Sequence, residues 1–258
     1  MLRTLKTRAY EALRCTRHNL LHLKMFKIRY DGRVWHVTDR AGTHFTFPFY
    51  PYKVFYEAEG YLRQGRWDLH EGMTVIDAGA CFGEFALYAA RRVGNSGRVL
   101  MLEPDADNIR RAQEYFAFNG GQPATIEIIP AGIWKVEGNI QFAAGLDASS
   151  TLLDAGQPIP PGAHIIEVPV ESLSSLARKY ALKRIDLVKM DIEGAEVEVV
   201  QSAQEAIEQF SPRFSIASYH MRLGQPTSQI IEPLFRNYGY ATQTGWPDHQ
   251  TTWAAPTL

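Results

Sequence analysis

From Thr74 onward the chain alternates short apolar runs with amphipathic stretches, a pattern that restricts it to a parallel sheet with helices on its faces. Strands are predicted over Thr74–Ala78, Arg98–Leu102, Thr125–Ile129, Ile185–Met190 and Phe214–Tyr219. Helices are predicted over Glu84–Arg92, Asp105–Phe118, Ala195–Gln201 and Ser228–Asn237, with Thr251–Ala254 as a candidate closing strand. In such a sheet the carboxyl ends of the strands share one edge, and that edge is where a ligand is expected. The 258 residues, 45% of them hydrophobic, suffice for a full core, and one α/β domain with an attached segment is preferred to two small domains. The expected division is a cap over residues 1–70 and the sheet domain over 71–258. Ala144–Gly162, rich in Gly, Ser, Pro and Ala, reads as a long loop beside the sheet.

The amino end has a different character. Leu2–Leu23 reads as a helix with Leu2, Leu5, Leu13 and Leu20 loosely on one side. Nine cations precede Trp35 (Arg3, Lys6, Arg8, Arg14, Arg17, Lys24, Lys27, Arg29, Arg33) against Glu11 and Asp31. A helix docked on its own domain is expected, with weak contact to an anionic membrane surface as the alternative. Lys27–Val37 reads as a hairpin turning at Asp31-Gly32. The aromatic stretch Phe45, Phe47, Phe49, Tyr50, Tyr52, Phe55, Tyr56 and Tyr61 is either packing or the wall of a substrate pocket, and Glu57 within it is a weaker contact candidate. A net charge of -1 gives no reason to expect a nucleic-acid partner. Cys15 and Cys81 are too few for a disulfide framework or metal knuckle, so a reducing cytoplasm is the expected location. No run approaches the roughly 20 apolar residues of a membrane span, and the basic amino end lacks the features of a secretory signal, so a soluble protein is expected.

The chemistry is concentrated at two strand ends. Asp77-Ala78-Gly79-Ala80-Cys81-Phe82-Gly83 follows a strand and opens a helix, so its glycines let backbone approach a ligand. A tight turn without a ligand would need the same residues. Glu103, at the end of the next strand, is placed to accept hydrogen bonds from ribose hydroxyls. Asp77 at the start of the loop and the final glycine four residues after the first depart from the dinucleotide fingerprint. The second strand end is Asp186-Leu187-Val188-Lys189-Met190-Asp191-Ile192-Glu193-Gly194-Ala195-Glu196. Its Asp191 and Glu193 are directed to the same cleft, although acids here also suit a helix amino end. Lys189, inside the strand, needs a buried partner.

The glycine loop and Glu103 resemble those of class I methyltransferases. The second string resembles the hallmark of the FkbM-type family of that class, whose members are largely O-methyltransferases of natural products and sugars. The resemblance spans roughly residues 57–254 and includes Glu103-Pro104, Gly132-Ile133-Trp134, Val168-Pro169-Val170 and Ser218-Tyr219-His220; the first fifty residues lie outside it. It implies a Rossmann-like α/β fold with a mostly parallel seven-stranded sheet, S-adenosyl-L-methionine as cofactor, and a small-molecule or sugar hydroxyl as methyl acceptor. It also implies cofactor contacts at Asp77, Gly79, Ala80, Gly83, Glu103, Pro104, Trp134 and Asp191.

His220, read as the end of the strand after the signature, is a candidate general base beside Asp191 and Glu193, provided its imidazole is neutral. Positioning alone, with no base, is the other reading. Ile133 and Trp134 are candidates to flank adenine, and Trp134 is equally plausible as core. Asp248 and His249, with His220, Asp191 and Glu193, contain residue types of a metal site, but no spacing is diagnostic and no metal is expected. The rival functions are a nicotinamide-dependent oxidoreductase and a non-catalytic methyltransferase-like binding module.

Overall fold

A computed structural model describes residues 2–21, 26–63, 67–146, 149–153, 159, 161–245 and 250–257. Asp248 and His249 lie outside the described residues. The main sheet has seven strands in the order Tyr240–Gly245, Thr251–Pro256, Arg213–Ala217, Leu187–Met190, Thr74–Ala78, Arg98–Leu102 and Ile126–Ile129. The last five of these run parallel, and the Tyr240 and Thr251 strands are antiparallel to their neighbours. This is the expected Rossmann-like α/β architecture with a mostly parallel seven-stranded sheet.

The central strands are apolar without interruption because both faces are covered. The pleat sorts their side chains. Val75, Val99, Met101 and Leu187 join one core with helices Glu84–Val93 and Ala106–Phe118. Ile76, Ala78, Leu100, Leu102, Val188 and Met190 join the other, beneath helices Leu173–Lys179, Glu196–Gln201, Gln204–Phe210 and Thr227–Asn237. Asp77 and Lys189 are paired across the register and share the face of Val75 and Leu187.

The expected hairpin is present, with Phe26–Tyr30 antiparallel to Trp35–Asp39. Asp31 Oδ1 fixes its turn by accepting from the Arg33 and Val34 amides at 2.8 and 3.0 Å. A third strand, His44–Phe47, adds to it from what reads in sequence as an aromatic stretch. The helix Leu2–Leu21 docks on this sheet, its Asn19 side chain bonding both backbone groups of Ile28. Leu13 and Leu20, expected on an apolar side, are exposed; the buried contact is made by His18. No helix among the described residues is long and apolar enough to cross a membrane.

Two sequence expectations need correction, and one further strand carries no sequence signal. Ala144–Gly162 is not uniform loop: Ala144 ends the strand Gly138–Ala144, and Thr151–Leu153 pairs with that strand in a small second sheet completed by His164–Glu171 and Gly132–Ile133. Several of these strands are too polar or too short for period-2 reading, and Pro169 lies within one. The edge strand Tyr240–Gly245 was hidden for the same reason, its Thr-Gln-Thr stretch facing largely outward. The strand predicted over Phe214–Tyr219 ends at Ala217, so Tyr219 and His220 lie beyond it.

The cap and the sheet domain share one core. Phe26, Phe45, Phe47 and Phe55 are fully buried, with Phe55 in aromatic contact with Phe45 at 5.0 Å and with Tyr88 of the first domain helix at 5.9 Å between ring centroids. Asn119, at the end of helix Ala106–Phe118, exchanges two hydrogen bonds with the backbone of Thr46. Phe55→Ala should therefore lower the stability of the whole chain by about 3–5 kcal/mol in urea unfolding followed by fluorescence and circular dichroism. A separate early transition for the cap, with the sheet domain unaffected, would contradict a shared core.

Candidate functional site

The glycine loop and the turn after Met190 face one another at the carboxyl edge of the sheet. The Asp191 amide donates to Ala78 O at 3.1 Å. Gly79 has φ +67° and a Cβ there would lie 1.9 Å from Asp191 O, so no side chain fits. Gly83, at φ +72°, caps the following helix, and its missing Cβ makes room for Phe116. Opposite, Glu193 has φ +56° and Gly194 +104°, which folds the chain back sharply. Glu196, wholly buried, accepts from the Ile192 and Gly194 amides at 3.1 and 3.4 Å and thereby braces this turn.

Under the loop lies a buried ion pair. Lys189 Nζ is 3.0 Å from Asp77 Oδ1 and donates to Gly79 O at 2.9 Å. Asp77 is fully buried, and its charge is committed to Lys189. Lys189 is the partner that reaches a cavity surface.

Two cavities meet above this pair, sharing Gly79, Cys81, Asp191 and Glu193 as a common rim. The first, about 450 Å³, is bounded by Glu103, Pro104, Asn108, Ile133, Phe142 and Leu152. The second, about 980 Å³, is bounded by Ala80, Tyr61, Glu57, Glu84, Phe85 and Tyr219. Glu103 accepts from the Cys81 amide at 2.8 Å, the Asp105 amide at 2.9 Å and Asn108 Nδ2 at 3.3 Å. Burial outweighs these bonds and pushes its carboxyl up to about 7. Burial likewise raises Glu84 to about 7.

The loop expectations thus divide. Gly79, Ala80, Glu103, Pro104 and Asp191 reach a cavity; Asp77 and Gly83 support it from below. Trp134 belongs to the apolar cluster with Phe142, Leu152 and Val168, and its neighbour Ile133 is the residue at the cavity.

His220 is brought to Asp191 and Glu193 as expected, its Nε2 lying 3.6 Å from each carboxylate. Its Nδ1 is 2.9 Å from Glu196 Oε1. Burial works to lower its pKa, but Glu193, Glu196 and Asp191 prevail and hold it up at about 10. The three acids thus favour the protonated imidazole, so a general-base role requires that His220 first give up this proton.

Sequence reasoning passed over several residues. Tyr61 donates to Asp191 Oδ2 at 2.9 Å and was singled out only as one of eight aromatics. Asn108, one turn into the helix after Glu103, was legible by spacing. Thr151 and Leu152 lie in the unexpected strand and carried no signal.

The region 77–241 matches the Methyltransferase FkbM domain. The chain belongs to the FkbM methyltransferase family. A curated relative, methyltransferase sdnD of Sordaria araneosa, is 26% identical over 158 residues, 51% of this chain and 60% of the relative. The fold is also that of methyltransferase FkbM from Methylobacillus flagellatus KT, at TM-score 0.54 and 18% identity, over 78% of this chain and 49% of that one. A Corynebacterium glutamicum protein matches at TM-score 0.50 and 9% identity, over 78% and 81% of the two chains. This FkbM-family chain spans 60% of the length of the curated relative and about half of the first structure.

The family's cofactor is S-adenosylmethionine. The residues present suit it. The first cavity joins apolar walls, Ile133 and Phe142, to a buried carboxylate with unused acceptor capacity, as a nucleoside requires. The rim adds Asp191 Oδ1, a buried oxygen without a hydrogen-bond partner, where positive charge is favoured.

The ion pair yields a stability prediction. Lys189→Met leaves Asp77 buried without its counter-charge and should cost about 3–5 kcal/mol in denaturant unfolding, whereas adding Asp77→Leu should restore most of the loss. Equal stability of the single and double variants would show that the pair does not support the loop.

Proposed function

We propose that this chain is an S-adenosylmethionine-dependent methyltransferase acting on a hydroxyl of a small molecule or sugar. The observation that carries the reading is the pair of cavities joined at one acidic rim, the smaller lined by Glu103, Ile133 and Phe142 and the larger by Tyr61, Phe85 and Tyr219. When bound, S-adenosylmethionine supplies an electrophilic methyl group on a positively charged sulfur. Glu103 and Asn108 hold the ribose hydroxyls, Ile133 and Phe142 exclude water from the base, and Gly79 gives the backbone close approach. Asp191 and Glu193 stand where both cavities open, between the cofactor and the acceptor.

The second cavity takes the acceptor. Tyr61, Phe85 and Tyr219 offer aromatic surface suited to a sugar or flat ring, while Glu57 and Glu193 accept from hydroxyl groups. Its carboxylates disfavour a polyanion, in keeping with the absence of a basic global charge. Rate acceleration in this reading comes chiefly from holding the acceptor oxygen in line with the transferable methyl group.

The cofactor reading is tested by calorimetric titration with S-adenosylhomocysteine. Submicromolar to micromolar binding is expected, with no binding of NAD; the reverse would replace the methyltransferase by an oxidoreductase. Glu103→Gln should weaken S-adenosylhomocysteine by about 10- to 100-fold, the range for a charge-assisted hydrogen bond. Product formation from labelled S-adenosylmethionine across a panel of hydroxylated acceptors tests the transfer itself.

The raised Glu103 carboxyl adds a pH signature. A ligand that donates two hydroxyls prefers the ionised form, so binding lowers the pKa and releases protons wherever free Glu103 is protonated. Affinity should therefore rise as pH increases from about 6 to 8 and level off above Glu103's pKa of about 7, with proton release seen in buffers of different ionisation heat. Glu103→Gln should remove that contribution to the slope; an unchanged slope in this variant would assign it to another group.

A further inference from the structure

Asp191, Glu193 and His220 each offer one ligand atom, and the three atoms lie within 4.8 Å of one another. From these we propose that the turn after Met190 holds a divalent metal ion, bound through Asp191 Oδ1, Glu193 Oε1 and His220 Nε2.

The separations suit a cation better than direct pairing. At 3.6 Å, His220 Nε2 is too far from either carboxylate for a hydrogen bond. Ligand atoms on one ion, bound at about 2.1 Å, are spaced by about 3.0–3.5 Å, so a small contraction forms the site. Nε2 and Asp191 Oδ1 are both buried without a hydrogen-bond partner, and the His220 side chain is only 8% exposed. A buried polar atom aimed at two acids and bonded to neither is costly unless something joins them.

The outer contacts point the same way. Tyr61 occupies Asp191 Oδ2 at 2.9 Å, which turns Oδ1 toward the cluster. Glu196, fully buried, lies at an ion-pair distance of 2.9 Å from His220 Nδ1 without hydrogen-bond alignment, while Nε2 is the ring nitrogen that faces Asp191 and Glu193. A carboxylate behind a histidine in this way orients a metal ligand and increases its basicity. The two backbone amides bonded to Glu196 hold that carboxylate in turn. Two carboxylates and one imidazole suit an ion of intermediate hardness, such as Mn²⁺ or Zn²⁺, with further positions for water or a ligand. The ion and a proton compete for the same nitrogen lone pair.

Asp191 and Glu193 line both cavities, so the ion stands at their junction. Its role rests on the methyltransferase reading: it fixes the acceptor hydroxyl and lowers that hydroxyl's pKa as a Lewis acid. Ion binding itself does not depend on that reading.

The full chain, stripped with chelator and dialysed, is titrated with Mn²⁺ by electron paramagnetic resonance and with Zn²⁺ by calorimetry. One ion of either kind per chain is expected, with an imidazole nitrogen coupled to bound Mn²⁺ in pulsed measurements or a histidine shell in X-ray absorption for Zn²⁺. Glu193→Gln and His220→Gln should weaken it by at least about 100-fold, and Glu196→Gln by about 10- to 100-fold. Circular dichroism melts verify folding, and Glu193, being partly exposed, provides a variant if the His220 change disrupts the core. The proposal is overturned if neither ion binds wild type more tightly than folded Glu193→Gln, or if the bound ion has no histidine nitrogen. Ion binding in a chain that fails to bind S-adenosylhomocysteine supports the ion site and removes the methyltransferase reading.

Discussion

The pairing of Lys189 with Asp77 sets the rest of the site. Two opposite charges sit side by side on central parallel strands, largely shielded from water, and each needs the other. Lys189 then spends a second donor on Gly79 O, so the strand pair and the start of the loop are fixed together. The close approach of Gly79 to Asp191 follows, and with it the common rim of the two cavities. A charge in the middle of an apolar strand thus acts as the anchor of the loop above it.

A second anchor is carboxylate-based. Glu196 closes the turn through two amides and meets His220 from behind, while Tyr61 restrains Asp191 from the cap side. Elements distant in sequence, helix Tyr52–Tyr61, the turn after Met190 and the segment after Ala217, therefore converge on two acids. Within it Glu196 accepts from two amides and Asp191 from Tyr61, while His220 lies 3.6 Å from both Asp191 and Glu193.

The parallel core was legible because its strands are covered on both faces and carry unbroken apolar runs. Glu103 and the Gly79 loop were legible because strand ends and glycine spacing are local properties. The buried state of Asp77 was not, since it depends on the register that puts Lys189 beside it. His220 illustrates a different limit: its neighbourhood was anticipated, but the sign of its electrostatics depends on Glu196, whose carboxylate turns inward. Strands such as Thr151–Leu153 and Tyr240–Gly245 escaped because short or polar edge strands obtain their order from a partner rather than from their own pattern.

Helix Tyr52–Tyr61 belongs at once to the aromatic core of the cap, through Phe55, and to the wall of the larger cavity, through Tyr61. Recognition and foldedness consequently draw on the same ten-residue helix. Any substitution that alters this wall must leave neighbours that keep Phe55 in place. Change is less constrained at Tyr219, which lines the same cavity and is 41% exposed.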